Sequence, residues 1–292
     1  MLIPRFNYHK PSTLKEACEL KAEFKNKAMF LAGGTDVIVN LKRGVISPDN
    51  LISLNSIAEM TSNSVNDKKG QTIIGASGKV AGLINEKFLL PYSALKTAME
   101  NIGSPIIRNM ATIGGNIVTA RPAADASPSL IAYKAKAVLN SVSGKREVSM
   151  DNFFVGVGKT VLNDDEILSA IILYNLPSYT GSAYIKFGTR KALEISLVNV
   201  AAVITLEKPD GPITDARIVM GAVGPVPLRA KTAEKILIGE KPGAGVFAKA
   251  AESAASKDSS PIDDFRGSAG YRRDMVKVLT ERALKMALSD IR

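Results

Sequence analysis

Apolar positions recur every three to four residues over 13–25, where Leu14, Ala17, Cys18 and Leu20 fall on one side, and this spacing predicts a helix. Phe30 and Leu31 end a short apolar run before Gly33 and Gly34. Val37 to Leu41 resumes a helical pattern, and Leu51 to Leu54 reads as a strand. A polar stretch over 61–70 then separates this unit from a strand at Gln71 to Ala76. Helical spacing returns at 80–86 and 92–101, followed by an Ile- and Gly-rich loop over 102–118. Strands are expected at 135–141, ending in a turn at Ser143 and Gly144, and at Ile167 to Leu173. Tyr174 to Ser182, with Pro177, Ser178 and Gly181, has the composition of a linker. Beyond it, 183–189, 197–207 and 213–222 read as strands, the last two joined by a turn at Pro209-Asp210-Gly211. Helices follow at 230–237, 244–255 and 271–288. In the last, Met275, Val278, Leu279 and Met286 share a stripe that leaves Arg272, Arg273, Lys277 and Arg282 largely outside.

The chain has 292 residues, 46% hydrophobic and 23% charged, which excludes a disordered, collagenous or coiled-coil protein. One cysteine, Cys18, and one histidine, His9, cannot build a zinc or iron–sulfur site within the chain. They also leave no parts for a catalytic triad. No catalytic or metal-ligating residue is therefore expected, and chemistry falls to a bound organic cofactor. The formal charge of +10 suits an anionic cofactor or an acidic partner. The basic residues are scattered and aromatics make up only 5%, so nucleic acid is not an expected partner. No apolar run approaches the length of a membrane span and the first residues lack a signal-peptide core, so a cytoplasmic location without membrane insertion is expected.

Two glycine loops carry the informative chemistry. In Leu31-Ala32-Gly33-Gly34-Thr35-Asp36, paired glycines between a strand end and a helix start bring backbone N–H groups close to an anion. Asp36 is placed to cap the helix or hold the loop. In Ala111-Thr112-Ile113-Gly114-Gly115-Asn116 the same device recurs among hydroxyl and amide side chains, with Asp125 nine residues past Asn116. Two such loops could hold the two phosphates of a dinucleotide. Asp125 then either accepts from a ribose hydroxyl, fixes the loop, or caps a short helix. No G-x-G-x-x-G is present, and Gly158-Lys159-Thr160 lacks the first glycine of a phosphate loop, which would fall at Phe153.

Read with the run from Asp263 through Tyr271-Arg272-Arg273 to Met275, these loops closely resemble the FAD-binding medium subunit of the molybdenum hydroxylases, the family of xanthine dehydrogenase and carbon monoxide dehydrogenase. The resemblance runs from Pro4 through Arg282. It implies an α+β fold: a two-part FAD-binding domain, with subdomains at 1–55 and 56–175, followed by a small α+β C-terminal domain at 176–292. It also implies that Leu31, Ala32, Gly33, Gly34, Thr35, Asp36 and Val37 wrap one side of the FAD pyrophosphate, and that Thr112, Gly115 and Asn116 hold the other. Asp125 would anchor the ribityl or pyrophosphate region, while Leu168 and Lys186 would approach the adenine or flavin portions. Arg190 to Ser196 matches the region beside the isoalloxazine, with Glu194 where many relatives have Asp and Ile195 where the carbon monoxide enzymes place a Tyr. Tyr271, Arg272 and Arg273 would serve structural or subunit contacts.

The implied role is electron transfer. A large molybdopterin subunit would oxidise the substrate, and a small subunit with two [2Fe-2S] clusters would pass electrons to this chain's FAD. They would leave to NAD, a quinone or another acceptor, within a dimer of heterotrimers. The alternatives are a stand-alone flavin-dependent oxidoreductase and an assembly subunit without flavin.

Overall fold

A computed structural model describes residues 3–190 and 193–291. The first unit is a parallel sheet of β1 (Asn7–His9), β2 (Ala28–Leu31) and β3 (Asn50–Ser53), with β3 in the centre. Helices α1 (Leu14–Phe24) and α2 (Val37–Lys42) make the crossovers that parallel pairing requires. Helix α1 buries Ala17 and Cys18 as the spacing predicts, but it also buries Lys21. The Lys21 ammonium is accommodated by donating to the carbonyls of Lys25 and Ala28 at the helix end.

The second unit is an antiparallel sheet in the order β4 (Asn63–Asn66), β5 (Gln71–Gly75), β10 (Ile167–Tyr174), β6 (Lys136–Ser141) and β7 (Gly144–Ser149). Between β7 and β10 lies a short hairpin of β8 (Phe154–Gly156) and β9 (Lys159–Thr160). Five helices accompany this sheet: α3 (Ala58–Thr61), α4 (Val80–Leu83), α5 (Ser93–Glu100), α6 (Pro105–Met110) and α7 (Ile113–Val118). A sixth, α8 (Ala126–Ala132), follows them. Two sequence expectations are corrected here. The polar stretch over 61–70 contains β4, an edge strand with a single apolar residue, the exposed Val65, too little to make a strand pattern. The loop over 102–118 is two short helices, α6 opened by a Ser104 cap with Pro105 behind it, and α7 opened by Thr112.

Glu166 closes the turn before β10 by accepting from Arg146 Nε at 2.5 Å and Nη2 at 2.7 Å and from the Asn163 N–H at 2.7 Å. The Arg146 guanidinium holds its carboxyl below the ordinary glutamate value of 4.5. Because the folded pKa is depressed, the stabilisation is present above the unfolded value and is lost as pH falls through the folded one. Glu166→Gln is accordingly expected to flatten the fall of melting temperature below pH 4.5. A limb as steep as in the parent would remove this pair from the acid response.

The third unit is the antiparallel sheet β11 (Thr180–Phe187), β12 (Val198–Leu206), β13 (Ile213–Gly221) and β14 (Leu228–Arg229). Strand β11 begins inside the stretch read as a linker. One face of this sheet is covered by α9 (Lys231–Leu237), α10 (Ala244–Ser253) and α11 (Ala269–Ser289). The other face meets α5 and α8 of the second unit. Hence every residue of β12 is buried. Val198, Val200, Ala202 and Ile204 enter the core with α9 to α11, while Ala201 and Val203 enter the core of the first two units.

Helix α11 buries Val276, Leu279, Ala283, Leu284 and Ala287, whereas Met286 is exposed, unlike the expected stripe. Arg272, expected outside the stripe, is only 2% exposed. Its Nη1 donates to Ala222 O, and its Nη2 lies 2.5 Å from Asp264 Oδ2, so the paired charge permits burial. Among the described residues no helix is long and apolar enough to cross a membrane.

Candidate functional site

The first glycine loop turns the chain from β2 into α2, with Gly34 at φ +74°, a region that L side chains rarely adopt. Among the described residues, no protein acceptor takes the N–H groups of Gly33, Gly34, Thr35, Asp36 or Val37. A row of backbone donors left free is the chemistry of an anion receptor. Asp36 occupies the N-cap position of α2, but its side chain makes no cap bond there.

The second loop is stitched to the segment before α4. Val80 N–H donates to Ala111 O, Ile113 N–H to Gly78 O, and Gly114 N–H to Ala76 O. Thr112 caps α7 by accepting from Gly115 N–H at 3.1 Å. Gly114 is required for packing, because a Cβ would lie 2.6 Å from Ala76 O. Gly115 opens outward: a Cβ there would meet only Thr112 Oγ1, at 2.9 Å. Asn116 accepts from the Ala126 N–H at 3.3 Å, which ties the loop to the start of α8.

The two loops touch. A Cβ on Gly33 would fall 2.3 Å from Met110 O and 2.9 Å from the Ala111 Cα, so only glycine allows the first loop to lie against the second. Asn55 and Lys79, which sequence reasoning missed, bind the same junction. Asn55 Nδ2 donates to Ala32 O at 2.9 Å, and Lys79 Nζ donates to Asn55 Oδ1 and to Met110 O, each at 3.1 Å. Gly33 therefore lies against the backbone that leads into Thr112, and the first loop packs on the entry to the second.

Asp125 sits at the N-cap position of α8 without capping it, which overturns the capping alternative. Its Oδ1 accepts from Tyr184 Oη at 2.6 Å and Ser196 Oγ at 3.0 Å, and its Oδ2 accepts from Lys186 Nζ at 2.9 Å. The Asp125 and Lys186 side chains are 8% and 9% exposed. Burial raises the Asp125 pKa, opposed by the Lys186 charge and by the three hydrogen bonds. Burial and the neighbouring Asp125 likewise push the Tyr184 phenol up. Lys186 also donates to Asn101 O at 2.9 Å. Tyr184 and Ser196 were missed as partners. The available signal was spacing: Tyr184 and Lys186 stand two apart on a strand and so share a face.

Leu168, by contrast, has its side chain sealed in the core opposite Leu139, leaving only its main chain for a cofactor. Beyond Lys186 opens a cleft of about 420 Å³ lined by Asn101, Arg108, Lys186, Arg190, Leu193 and Glu194, within the size range of small-molecule sites. Glu194 folds over Gly188 and accepts from Arg190 Nε at 2.8 Å. That ion pair, with Arg190 as first cause, lowers the Glu194 pKa. Ile195 is exposed. Of the segment from Arg190 to Ser196, Lys191 and Ala192 lie outside the described residues.

Comparison with known proteins gives a consistent result. Residues 4–175 match the FAD binding domain in molybdopterin dehydrogenase, and residues 183–287 match the CO dehydrogenase flavoprotein C-terminal domain. The glyceraldehyde dehydrogenase medium chain of Sulfolobus acidocaldarius is 35% identical over 286 residues, covering 98% of this chain and 99% of that one. The xanthine dehydrogenase FAD-binding subunit of Escherichia coli is 30% identical over 285 residues, covering 97% of this chain and 96% of that one. Among solved structures, a chain of carbon monoxide dehydrogenase from Hydrogenophaga pseudoflava superposes with a TM-score of 0.93 at 30% identity, each chain covered in full.

Proposed function

Because this chain belongs to the FAD-binding medium subunits of the molybdenum hydroxylase family, we propose that it holds FAD non-covalently and relays electrons between partner subunits and an external acceptor. The observation that carries this reading is the contact of the two glycine loops at Gly33 and Met110, beside a row of unused backbone N–H groups. Bound flavin would supply the capacity to take electrons singly and release them in pairs. The chain's own residues would bind it, orient it and limit water around it. Leu31 to Val37 would take one side of the pyrophosphate, and Thr112, Gly115 and Asn116 the other. Asp125 and Lys186 would order the ribityl side, with Leu168 contributing through its main chain. The cleft beside Arg108, Arg190 and Glu194 is the natural seat of the ring.

In this reading the chain divides at 55/56 and 175/176. Its electrons come from two [2Fe-2S] clusters of a small subunit, fed by a large molybdopterin subunit, in a cytoplasmic dimer of heterotrimers. NAD or a quinone takes them away. The organic substrate is set by the large subunit. Near end-to-end coverage by medium chains favours this role over a stand-alone flavoenzyme, and the glycines kept in both loops speak against a flavin-free assembly subunit.

The full chain, mixed with excess FAD and desalted, is expected to keep the visible flavin absorption bands and to release FAD on denaturation. Folded protein that emerges colourless, both alone and co-expressed with its partner subunits, would overturn the assignment.

A further inference from the structure

We propose that Lys79 is a further cofactor-binding residue, its ammonium placed between the two glycine loops to take one negative charge of the FAD pyrophosphate. The inference rests on the FAD reading above and extends it to a side chain outside both glycine motifs.

Position comes first. The backbone of Lys79 pairs with that of Thr112 in an antiparallel bridge, which sets the lysine directly opposite the cap of α7. From there the side chain reaches Met110 O, the same carbonyl that lies against Gly33. Its other bond, to Asn55 Oδ1, leads through Asn55 Nδ2 to Ala32 O, the residue before the first glycine pair. The ammonium thus stands where the loops converge, and within two residues of donors in both.

Charge comes second. An ammonium has three N–H groups, and two are spent on neutral oxygens. Lys79 is half-buried, and among the described residues no carboxylate forms a salt bridge with it. Burial alone pushes its pKa down, with no acid acting in the other direction. A partly exposed ammonium at this junction, with one donor unspent and no carboxylate bridged to it among the described residues, is placed to bind an anion. The free N–H row of Gly33 to Val37 calls for an anion at the same junction. Backbone dipoles can orient a pyrophosphate but carry no net charge, so the lysine supplies what the loops lack.

The test is FAD affinity of the full-length chain, followed by flavin fluorescence over a series of salt concentrations, for the parent, Lys79→Arg, Lys79→Gln and Lys79→Met. If the charge matters, Gln and Met weaken binding about ten- to a hundredfold, the size of one charge-assisted bond, while Arg stays near the parent. The affinity of the Gln and Met variants should also depend less steeply on salt. Gln keeps neutral donors for Asn55 and Met110, so it separates charge from mere clipping of the loops. Parent-like affinity in Lys79→Gln, or a loss in Lys79→Met with an unchanged salt slope, would overturn the proposal. Thermal melts of all four report folding independently. A parent chain that takes up no FAD at all would instead overturn the FAD reading, and this inference would fall with it.

Discussion

Asp125→Ala is expected to cost about 3–5 kcal/mol of stability, because it leaves the Lys186 ammonium buried without its counter-charge. It also strips Tyr184 and Ser196 of their common acceptor. For a chain of this size the loss corresponds to a drop of roughly 10 °C in melting temperature. Flavin retention should fall with it, since the network joins α8 of the second unit to β11 and the loop beyond it. The double variant Asp125→Ala with Lys186→Met should recover part of the loss, as removing both charges ends the unpaired burial. A single variant that melts with the parent would show that the ion pair carries no such weight.

The second large effect is expected at Gly33. Here Gly33→Val places a branched side chain where Met110 O and the Ala111 Cα already stand. Both obstacles are backbone, so no rotamer change relieves the clash and the loops must part. Overpacking of this kind costs about 1–3 kcal/mol. The larger consequence is functional: donors separated by the shift no longer converge on one ligand, and FAD is expected to be lost from protein that still folds. Circular dichroism would establish folding, and flavin content after desalting would read the effect. Gly245→Ala in α10 makes the matching control, since a Cβ there meets no atom within 4 Å and the position lies outside both loops. FAD held normally by folded Gly33→Val protein would refute the cradle.

Much of this was legible before the fold was seen. Gly-Gly pairs between apolar runs mark places where backbone must serve in place of side chains, and the first pair lies against the segment that leads into the second. The strand over 197–207 and the punctuation at 209–211 were equally readable. What escaped had physical reasons. Helices α6 and α7 have six residues each, too few for a periodic pattern to emerge, and α7 contains two glycines that argue against any helix. The burial of Arg272 depends on Asp264, eight positions earlier and on a separate turn. Asp125 stands where a cap would stand, and only the tertiary approach of β11 turns its carboxylate away from α8 towards Tyr184 and Lys186. Local rules name the residue; long-range packing decides its partner.

Strand β12 bears on how such chains can be recombined. With its odd and even positions committed to different neighbours, the last third of the protein is a slice cut from a larger sandwich rather than a detachable module. A gene split near residue 180 would yield two fragments, each presenting a raw apolar wall to water. Grafting the C-terminal piece of one relative onto another would accordingly mean matching two seams at once, and α5 and α8 would have to travel with the strand they cover.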